Sequence, residues 1–344
     1  MNIKQLCFDL ADKVGTSGYE YDVAVAVSEH LKKYMDVKID KLGNVIGKTA
    51  QGNYNILLDA HLDQIGLVVR GFDDKGFVLF DKVGGADVRV LTGAEVILHG
   101  KEDIFGVVCS VPPHLAKNDD SKKLDVKQMA VDTGYSKEEV SGLLSIGDRI
   151  TLRNFQYELL GDKISSGAFD DRCAIAAILY ALELVKDKLK NVGITVMFSS
   201  REETGGSGAK TGAFTNGCFC DSIVVDVGFG DDPYTSKEET IKLGGGPSIG
   251  IAPILDARLT KELVDLAKQK NIPYQHDVMS RTTGTNADHI SVTGQGIRTA
   301  LLSIPLRYMH TANEVISLKD VEYTAKLIAE LILKKEVQYN AHLS

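Results

Sequence analysis

GITVMFSSREETGGSGAK, residues 193–210, holds a short apolar run followed by two adjacent glutamates and a glycine-rich segment. The run has the length and β-branched content of a strand that is buried on both faces, as in a parallel sheet. Glu202 and Glu203 follow it directly, and neighbouring carboxylates repel each other unless a positive group holds them. The pair is therefore either a solvated strand end or part of a site that binds positive charge.

The rest of the chain predicts the sheet to which this strand belongs. Similar buried strands occur at residues 55–60, 222–228 and 299–305, and residues 173–189 form a long apolar helix pattern between two of them. Strands separated by helices are typical of an α/β fold with a mostly parallel sheet. Near the N-terminus, Ser17 and Glu20 predict a capping box for the second helix.

A section of different character interrupts this pattern. From about residue 71 to residue 163, short strands alternate with turns, and one short helix carries a capping-box pattern at Ser136 and Glu139. We therefore predict a small β-rich domain, residues 71–163, inserted into an α/β catalytic domain formed by residues 1–70 and 164–344.

Composition excludes several classes of protein. The chain has 344 residues, 44% of them hydrophobic and 25% charged, with a net charge of −8, which is typical of a globular protein and argues against binding to nucleic acid. No apolar run is long enough to cross a membrane, and the N-terminal segment lacks the pattern of a signal peptide. Five cysteines at scattered spacings suggest no disulfide framework. We predict a cytoplasmic protein.

Further acidic and imidazole side chains follow the other predicted strands. In an open α/β sheet, sites lie beyond the carboxyl ends of the strands, so these residues are expected to converge: His61, Asp170, Glu202, Glu203, Asp226 and His310. Asp171 competes with Asp170 for this role, and either could instead cap the following helix. Imidazole and carboxylate groups are ligands for divalent ions such as zinc, cobalt or manganese.

Two such ions would resolve the question raised by the glutamate pair. One carboxylate would bridge the two metals, one glutamate of the pair would bind metal, and the other would act as general base. A hydroxide held between the metals would then attack a carbonyl carbon. The positive charge would offset the repulsion between the two glutamates.

Several motifs also connect the chain to a known family. They are TSGYE (16–20), HLDQIG (61–66), PPHL (112–115), FDDR (169–172), the glutamate pair, VVDVG (224–228), LGGGP (243–247) and RYMHTANEV (307–315). On these residues the chain resembles the tetrahedral (dodecameric) dinuclear metallo-aminopeptidases, some of which carry the names glutamyl aminopeptidase or endoglucanase. The resemblance covers nearly the full length.

The resemblance implies a role for each candidate site residue. It makes His61 and Asp226 ligands of one divalent metal, Glu203 and His310 ligands of the other, and Asp170 the bridge between the two metals. Glu202 would be the general base, and Asp63 would orient the imidazole of His61.

The resemblance also implies partners and an assembly. The substrates would be peptides with a free N-terminus. The inserted domain would mediate dimerisation, and dimers would build a homo-oligomer of twelve chains that encloses the active sites.

Two segments depart from the family pattern. TGGSGA (204–209) and GTNADH (284–289) replace the expected VGLRGA and GTDA types, and we expect both in loops near the substrate.

Three other functions stay open. A glycoside hydrolase would use two carboxylates but would leave the histidines unexplained. A non-catalytic binding protein is the second alternative. A carboxypeptidase or deacylase would need an arginine for the substrate carboxylate, with these candidates: Arg172, Arg201, Arg281 and Arg307.

Overall fold

The computed structural model describes residues 1–112, 114, 125–236 and 238–340. Two residues of the PPHL motif, Pro113 and Leu115, lie outside this range. Within it, the chain forms one large mixed sheet with helices on its faces and a separate closed barrel.

Helices are separated by one or two strands from residue 169 onward, whereas the first half of the chain contains runs of consecutive strands. The helices are α1 (Ile3–Ala11), α2 (Tyr21–Leu31), α3 (Val88–Leu91), α4 (Lys137–Leu143), α5 (Phe169–Val185), α6 (Ser207–Thr215), α7 (Ala257–Lys270), α8 (Ala287–Ile290) and α9 (Leu318–Asn340). The strands of the large sheet are β1 (Asp36–Ile39), β2 (Val45–Lys48), β3 (Tyr54–His61), β10 (Tyr157–Glu158), β11 (Lys163–Ser166), β12 (Val192–Ser199), β13 (Asp221–Phe229), β14 (Ser248–Ile251), β15 (Gln275–Val278), β16 (Arg298–Arg307) and β17 (Glu314–Ser317). The barrel strands are β4 (Gly66–Phe72), β5 (Val78–Val83), β6 (Glu95–His99), β7 (Asp103–Cys109), β8 (Ala130–Asp132) and β9 (Arg149–Leu152).

Four parallel strands form the centre of the large sheet, in the order β12, β3, β13 and β16. Every residue of β12 is buried, as its apolar run predicted. The flanking strands β2, β17 and β11 join antiparallel. The predicted α/β fold is thus confirmed, and its parallel part is the central core of a mixed sheet.

Helix α5 lies across this core and explains the long apolar pattern after Asp171. It packs against α1, α9 and β3, so nearly its whole circumference is buried, including Ile175, Ile178 and Leu179. A helix that is apolar all round needs such burial on every side. Its first turn therefore has a firmly fixed position next to the end of β3.

The barrel has an apolar core of its own, which includes Leu67, Phe80, Val96 and Ile150. Its strands run from Gly66 to Leu152, whereas β10 and β11 belong to the large sheet. The small β-rich unit predicted within residues 71–163 is therefore present. The division of the chain at those two boundaries into independent domains stays a prediction.

The two predicted capping boxes have different outcomes. Ser136 and Glu139 form a complete box at the start of α4, as predicted. The prediction of a capping box at Ser17 and Glu20 is wrong. The side chain of Glu20 instead accepts hydrogen bonds from the N–H groups of Gly18 and Arg201. A tertiary contact with the loop that carries Glu202 thus takes the place of a local cap.

In the part of the chain that the structure describes, no helix combines the length and the apolar character that a bilayer span requires.

Candidate metal centre

The central parallel strands bring most of the predicted site residues to one edge of the sheet. His61 is the last residue of β3, and it pairs with Ser199, the last residue of β12. Glu202 and Glu203 follow in the turn after β12, and Asp226 lies near the end of β13. Because parallel strands share a direction, their carboxyl ends meet at this edge.

His310 and Asp170 reach the same place from other elements. His310 follows β16 and has a left-handed backbone conformation, with φ of 64°. Asp170 and Asp171 stand in the first turn of α5, where their backbone is not yet helical. All six candidate site residues therefore converge, although only His61 and Asp226 are themselves on strands.

Asp170 lies between the two imidazoles. Its Oδ1 is 3.0 Å from Nε2 of His61, and its Oδ2 is 3.3 Å from Nε2 of His310. The same His310 nitrogen is 3.3 Å from Oε1 of Glu203. One buried carboxylate thus contacts both histidines, which is the arrangement that a bridging ligand requires.

Asp171 and Asp226 form a second group with His61. The donor atoms of these three side chains lie within 4.8 Å of one another, and so do those of His61, Asp170 and Glu203. Asp171 also accepts the backbone N–H of His61 at 3.0 Å. The sequence pattern offered Asp171 only as an alternative to Asp170 for one role at the site. The fold places both residues beside His61.

Asp63 supports the glutamate pair directly. Its fully buried carboxylate accepts the backbone N–H of Glu202 at 2.9 Å and that of Glu203 at 3.1 Å. The Nδ1 atom of His61 lies closer to the Asp63 carbonyl oxygen, at 2.9 Å, than to its carboxylate, at 3.6 Å. The contact with the imidazole expected from the sequence thus runs mainly through the main chain.

Sequence reasoning missed Glu314. This buried carboxylate accepts the backbone N–H of Asp170 at 3.1 Å and that of His310 at 3.0 Å. It therefore holds two candidate ligands from different elements in place. An acidic residue at the start of the apolar strand β17 was the available signal, because a buried carboxylate needs a partner.

Burial and mutual repulsion shape the ionisation of the acidic groups. Burial raises the pKa of Glu202 to about 7, and the nearby carboxylates Asp170 and Glu203 contribute in the same direction. The pKa of Asp226 is also raised, mainly by burial. Burial opposes ionisation of Asp170 as well, but hydrogen bonds from His310 and His61 outweigh it and lower the pKa of that carboxyl.

The pKa values of the two histidines are raised, whereas burial alone would lower the pKa of an imidazole. Burial lowers the pKa of His310, but its contacts with Asp170 and Glu203 outweigh this effect and raise the pKa to about 11. The pKa of His61 is likewise raised, because Asp170 and Asp63 outweigh the burial. The protein groups alone therefore hold protons where a cation would otherwise balance the charge.

The donor set fits divalent metal ions. It combines imidazole nitrogens with carboxylate oxygens, as zinc, cobalt and manganese sites do. The buried Oδ1 atom of Asp171 has no hydrogen-bond partner among the described residues, and an orphaned carboxylate oxygen next to His61 and Asp226 is a natural cation ligand. A site with these groups can bind cations and place them beside a substrate.

The cluster opens into a cavity of about 690 Å³. Gly284 and Thr285 of the GTNADH segment line it, as expected, whereas no residue of TGGSGA does so within the described lining. The two segments meet instead, because a Cβ on Gly206 would lie 2.1 Å from Cδ2 of His289.

The barrel also contributes to the cavity. Gly85, in the segment between β5 and α3, lines it, and a Cβ at this position would lie 2.5 Å from Nδ1 of His310. The barrel and the large sheet thus meet at the candidate metal centre.

Comparison with known proteins gives this fold and site a context. The chain is 32% identical over 337 residues to a lysyl aminopeptidase from Pyrococcus furiosus, covering 95% of this chain and 96% of the relative. A solved aminopeptidase from Desulfurococcus kamchatkensis superimposes with a TM-score of 0.90 at 31% identity, covering 98% and 96% of the two chains. The Pyrococcus horikoshii TET1 peptidase, described as assembling into a tetrahedron or a large octahedral shell, gives a TM-score of 0.84 at 30% identity, covering 96% and 99%.

Fold, site and relatives together define the class: the chain is a peptide hydrolase. Residues 43–327 match the model of the M42 glutamyl aminopeptidase family, and the chain belongs to that family. This membership supports metal-dependent aminopeptidase activity, in agreement with the resemblance found in the sequence.

Proposed function

We propose that this protein is a dinuclear metallo-aminopeptidase that hydrolyses the N-terminal residue from peptides. The observation that carries the proposal is the buried cluster of two imidazoles and several carboxylates that opens into the cavity beside Glu202. Zinc or cobalt is the proposed metal, with manganese as a further candidate for the same ligand types.

Five side chains would hold the two ions. His61 and Asp226 would bind one, Glu203 and His310 the other, and Asp170 would bridge them. The contacts of Asp170 with both imidazoles support the bridging role. When bound, the ions supply Lewis-acid polarisation of the scissile carbonyl and make a water molecule more acidic.

Glu202 is the proposed general base. It lines the cavity but belongs to neither group of clustered donor atoms, and Asp63 anchors its backbone. Its carboxylate takes a proton from the attacking water, so that hydroxide is the nucleophile, and then delivers that proton to the leaving amine. Asp63 and Glu314 keep the participating groups in position.

Two rival functions lose support. None of the four arginines proposed for carboxylate recognition lies among the described residues that line the cavity. Arg172, for example, is fully buried and donates to the carbonyl oxygens of Leu10 and Lys13. A glycosidase would leave the contacts between the histidines and Asp170 without a purpose.

A panel of aminoacyl chromogenic amides tests the proposal. Each substrate is offered to the metallated protein with a free and with an acetylated N-terminus, with and without a chelator. We expect cleavage of the free-amine substrates alone, lost on chelation and restored by zinc or cobalt. Cleavage that survives chelation, or that is equal for acetylated substrates, would contradict the proposal.

Metal binding should release protons. Because the pKa of His61 and of His310 is raised, both imidazoles hold protons at neutral pH that a metal must displace. Apparent affinity should rise with pH, by about tenfold per pH unit for each proton released. Calorimetric titration with Co²⁺ in buffers of different ionisation enthalpy measures the number of protons. A heat that is independent of the buffer would contradict this prediction, and H114Q, at an exposed histidine, should release as many protons as the wild type.

The barrel should influence the metal centre through Gly85. A methyl group in G85A would meet the ring of His310 at 2.5 Å, so the ring has to shift, which would disturb its contacts with Asp170 and Glu203. We expect metal affinity to fall by about 10–100-fold, as for other changes just outside the ligands. G142A is the matched control, because a Cβ there has open space around it. Unchanged metal affinity in G85A would contradict this prediction.

The assembly is part of the proposal. We propose a homo-oligomer of twelve chains built from dimers, because a relative described as a tetrahedral or octahedral shell covers the same length. The outward face of β7 carries exposed apolar side chains, Phe105 and Val107, which supports a contact surface on the barrel. Light scattering would give twelve times 37.3 kDa for this assembly.

A further inference from the structure

The proposed activity leaves the preferred N-terminal residue open, and the charges of the cavity bear on it. The described lining includes seven carboxylates and contains no lysine or arginine. Four of the carboxylates, Asp170, Glu202, Glu203 and Asp226, belong to the candidate metal centre. The other three are Glu238, Glu239 and Asp277.

These three carboxylates add negative charge beyond the amount that the metal ions and the substrate's α-ammonium group would neutralise. Two divalent ions would balance the four metal-centre carboxylates that line the cavity, and the α-ammonium group of a peptide would balance one more. Negative charge is then left over on the cavity wall. A substrate whose N-terminal side chain is also cationic would balance it, whereas an acidic side chain would meet repulsion and no positive partner.

Asp277 is the best placed of the three to receive such a group. It is half-buried in strand β15, and it takes part in no side-chain hydrogen bond or ion pair within the described part of the chain. Glu238 and Glu239 are exposed, so water screens their charge more strongly, and the hydroxyl of Ser236 donates to Glu239. Burial alone raises the pKa of Asp277, which agrees with a carboxylate that lacks a local partner.

The neighbouring wall suits the aliphatic part of a basic side chain. Ile241, Met279 and Leu301 line the same cavity, and Ile241 and Leu301 are buried. Lysine and arginine combine a stem of methylene groups with a charged head, and they bury the stem along apolar surface. The cavity offers an apolar wall and a carboxylate without a partner, which together match this shape.

We propose that the cavity selects peptides whose N-terminal residue is lysine or arginine, and that Asp277 binds the cationic head of that side chain. The proposal rests on the proposed aminopeptidase function and names its substrate class. It makes Asp277 a specificity-determining residue of the same site.

The test compares kcat/KM for lysyl, arginyl, norleucyl and glutamyl chromogenic amides with the metallated oligomer. Norleucine keeps the four-carbon chain of lysine but lacks its ammonium group, so the ratio of lysyl to norleucyl rates isolates the charge. We expect this ratio to exceed about tenfold in the wild type and to fall by about tenfold in D277N. The lysyl and arginyl rates show which basic side chain fits better.

Two further variants make the outcome decisive. D277K should reverse the preference towards the glutamyl substrate, which no general loss of folding would produce. E322Q removes a half-buried carboxylate on α9 that is not part of the described cavity lining, and should leave the ratio within about twofold. Equal lysyl and norleucyl rates, or a glutamyl preference in the wild type, would overturn the specificity proposal alone. No cleavage of any free-amine substrate would overturn the proposed function and this inference with it.

Discussion

Replacing Glu202 by glutamine should lower kcat by about 10²–10⁴-fold while the protein keeps its metal ions, because a positioned general base contributes a factor of this size. The amide has nearly the shape of the carboxylate but cannot accept the proton of the attacking water. Since the backbone N–H of Glu202, not its side chain, binds Asp63, the turn after β12 should keep its structure. Turnover of a free-amine substrate and metal content are measured on the same sample.

The outcome separates the base from the ligands. E203Q is the matched comparison, since Glu203 contacts His310 and is proposed to bind metal. It should lose metal as well as activity, whereas E202Q should lose activity alone. Retained turnover in a fully metallated E202Q protein would contradict the assignment of Glu202 as the base.

Replacing Asp170 by asparagine should weaken the binding of both metal ions. Asp170 contacts His61 and His310 through its two oxygens, and asparagine would leave one of them facing an amide group without negative charge. A residue that only hydrogen-bonds to a metal ligand typically changes metal affinity by about 10–100-fold when it is replaced. The loss of affinity in D170N should be larger than that. Activity should fall with the metal content, which elemental analysis after dialysis would measure.

The neighbouring residue provides the comparison. Asp171 accepts the backbone N–H of His61 and lies near Asp226, so D171N should weaken mainly the ion that we propose His61 and Asp226 would bind. A larger loss of both ions in D171N than in D170N would assign the bridge to Asp171. The assignment of the bridge to Asp170, which the family resemblance implies, would then be wrong.

The convergence of the site residues could be predicted because it depends on a simple property of parallel strands. His61, Glu202 and Asp226 each stand at or just beyond the end of a buried apolar run, and such ends lie at one edge of the sheet. The adjacent glutamates then have different surroundings in the structure. Both line the cavity, but Glu203 contacts His310, whereas Glu202 belongs to neither group of clustered donor atoms.

Contacts between distant parts of the chain could not be predicted in this way. Glu20 matched a local capping pattern, yet it binds the backbone of Arg201, and Glu314 holds two residues from separate elements. Such polar groups satisfy their hydrogen bonds with whatever backbone the fold brings near them. A pattern of neighbours along the chain contains no information about that proximity.

The sequence by itself thus determined the α/β class, the inserted β-rich unit, the family and the set of residues that gather at the candidate metal centre. Periodicity and the direction of buried strands suffice for the fold class and for the convergence of the site residues, whereas the family followed from the resemblance of the sequence motifs. Tertiary structure alone decided how Asp63 and Glu314 support the site, where Gly85 of the barrel meets His310, and which carboxylates remain without a partner on the cavity wall. These features depend on distances of a few ångströms between segments far apart in the chain, which only the packed fold defines.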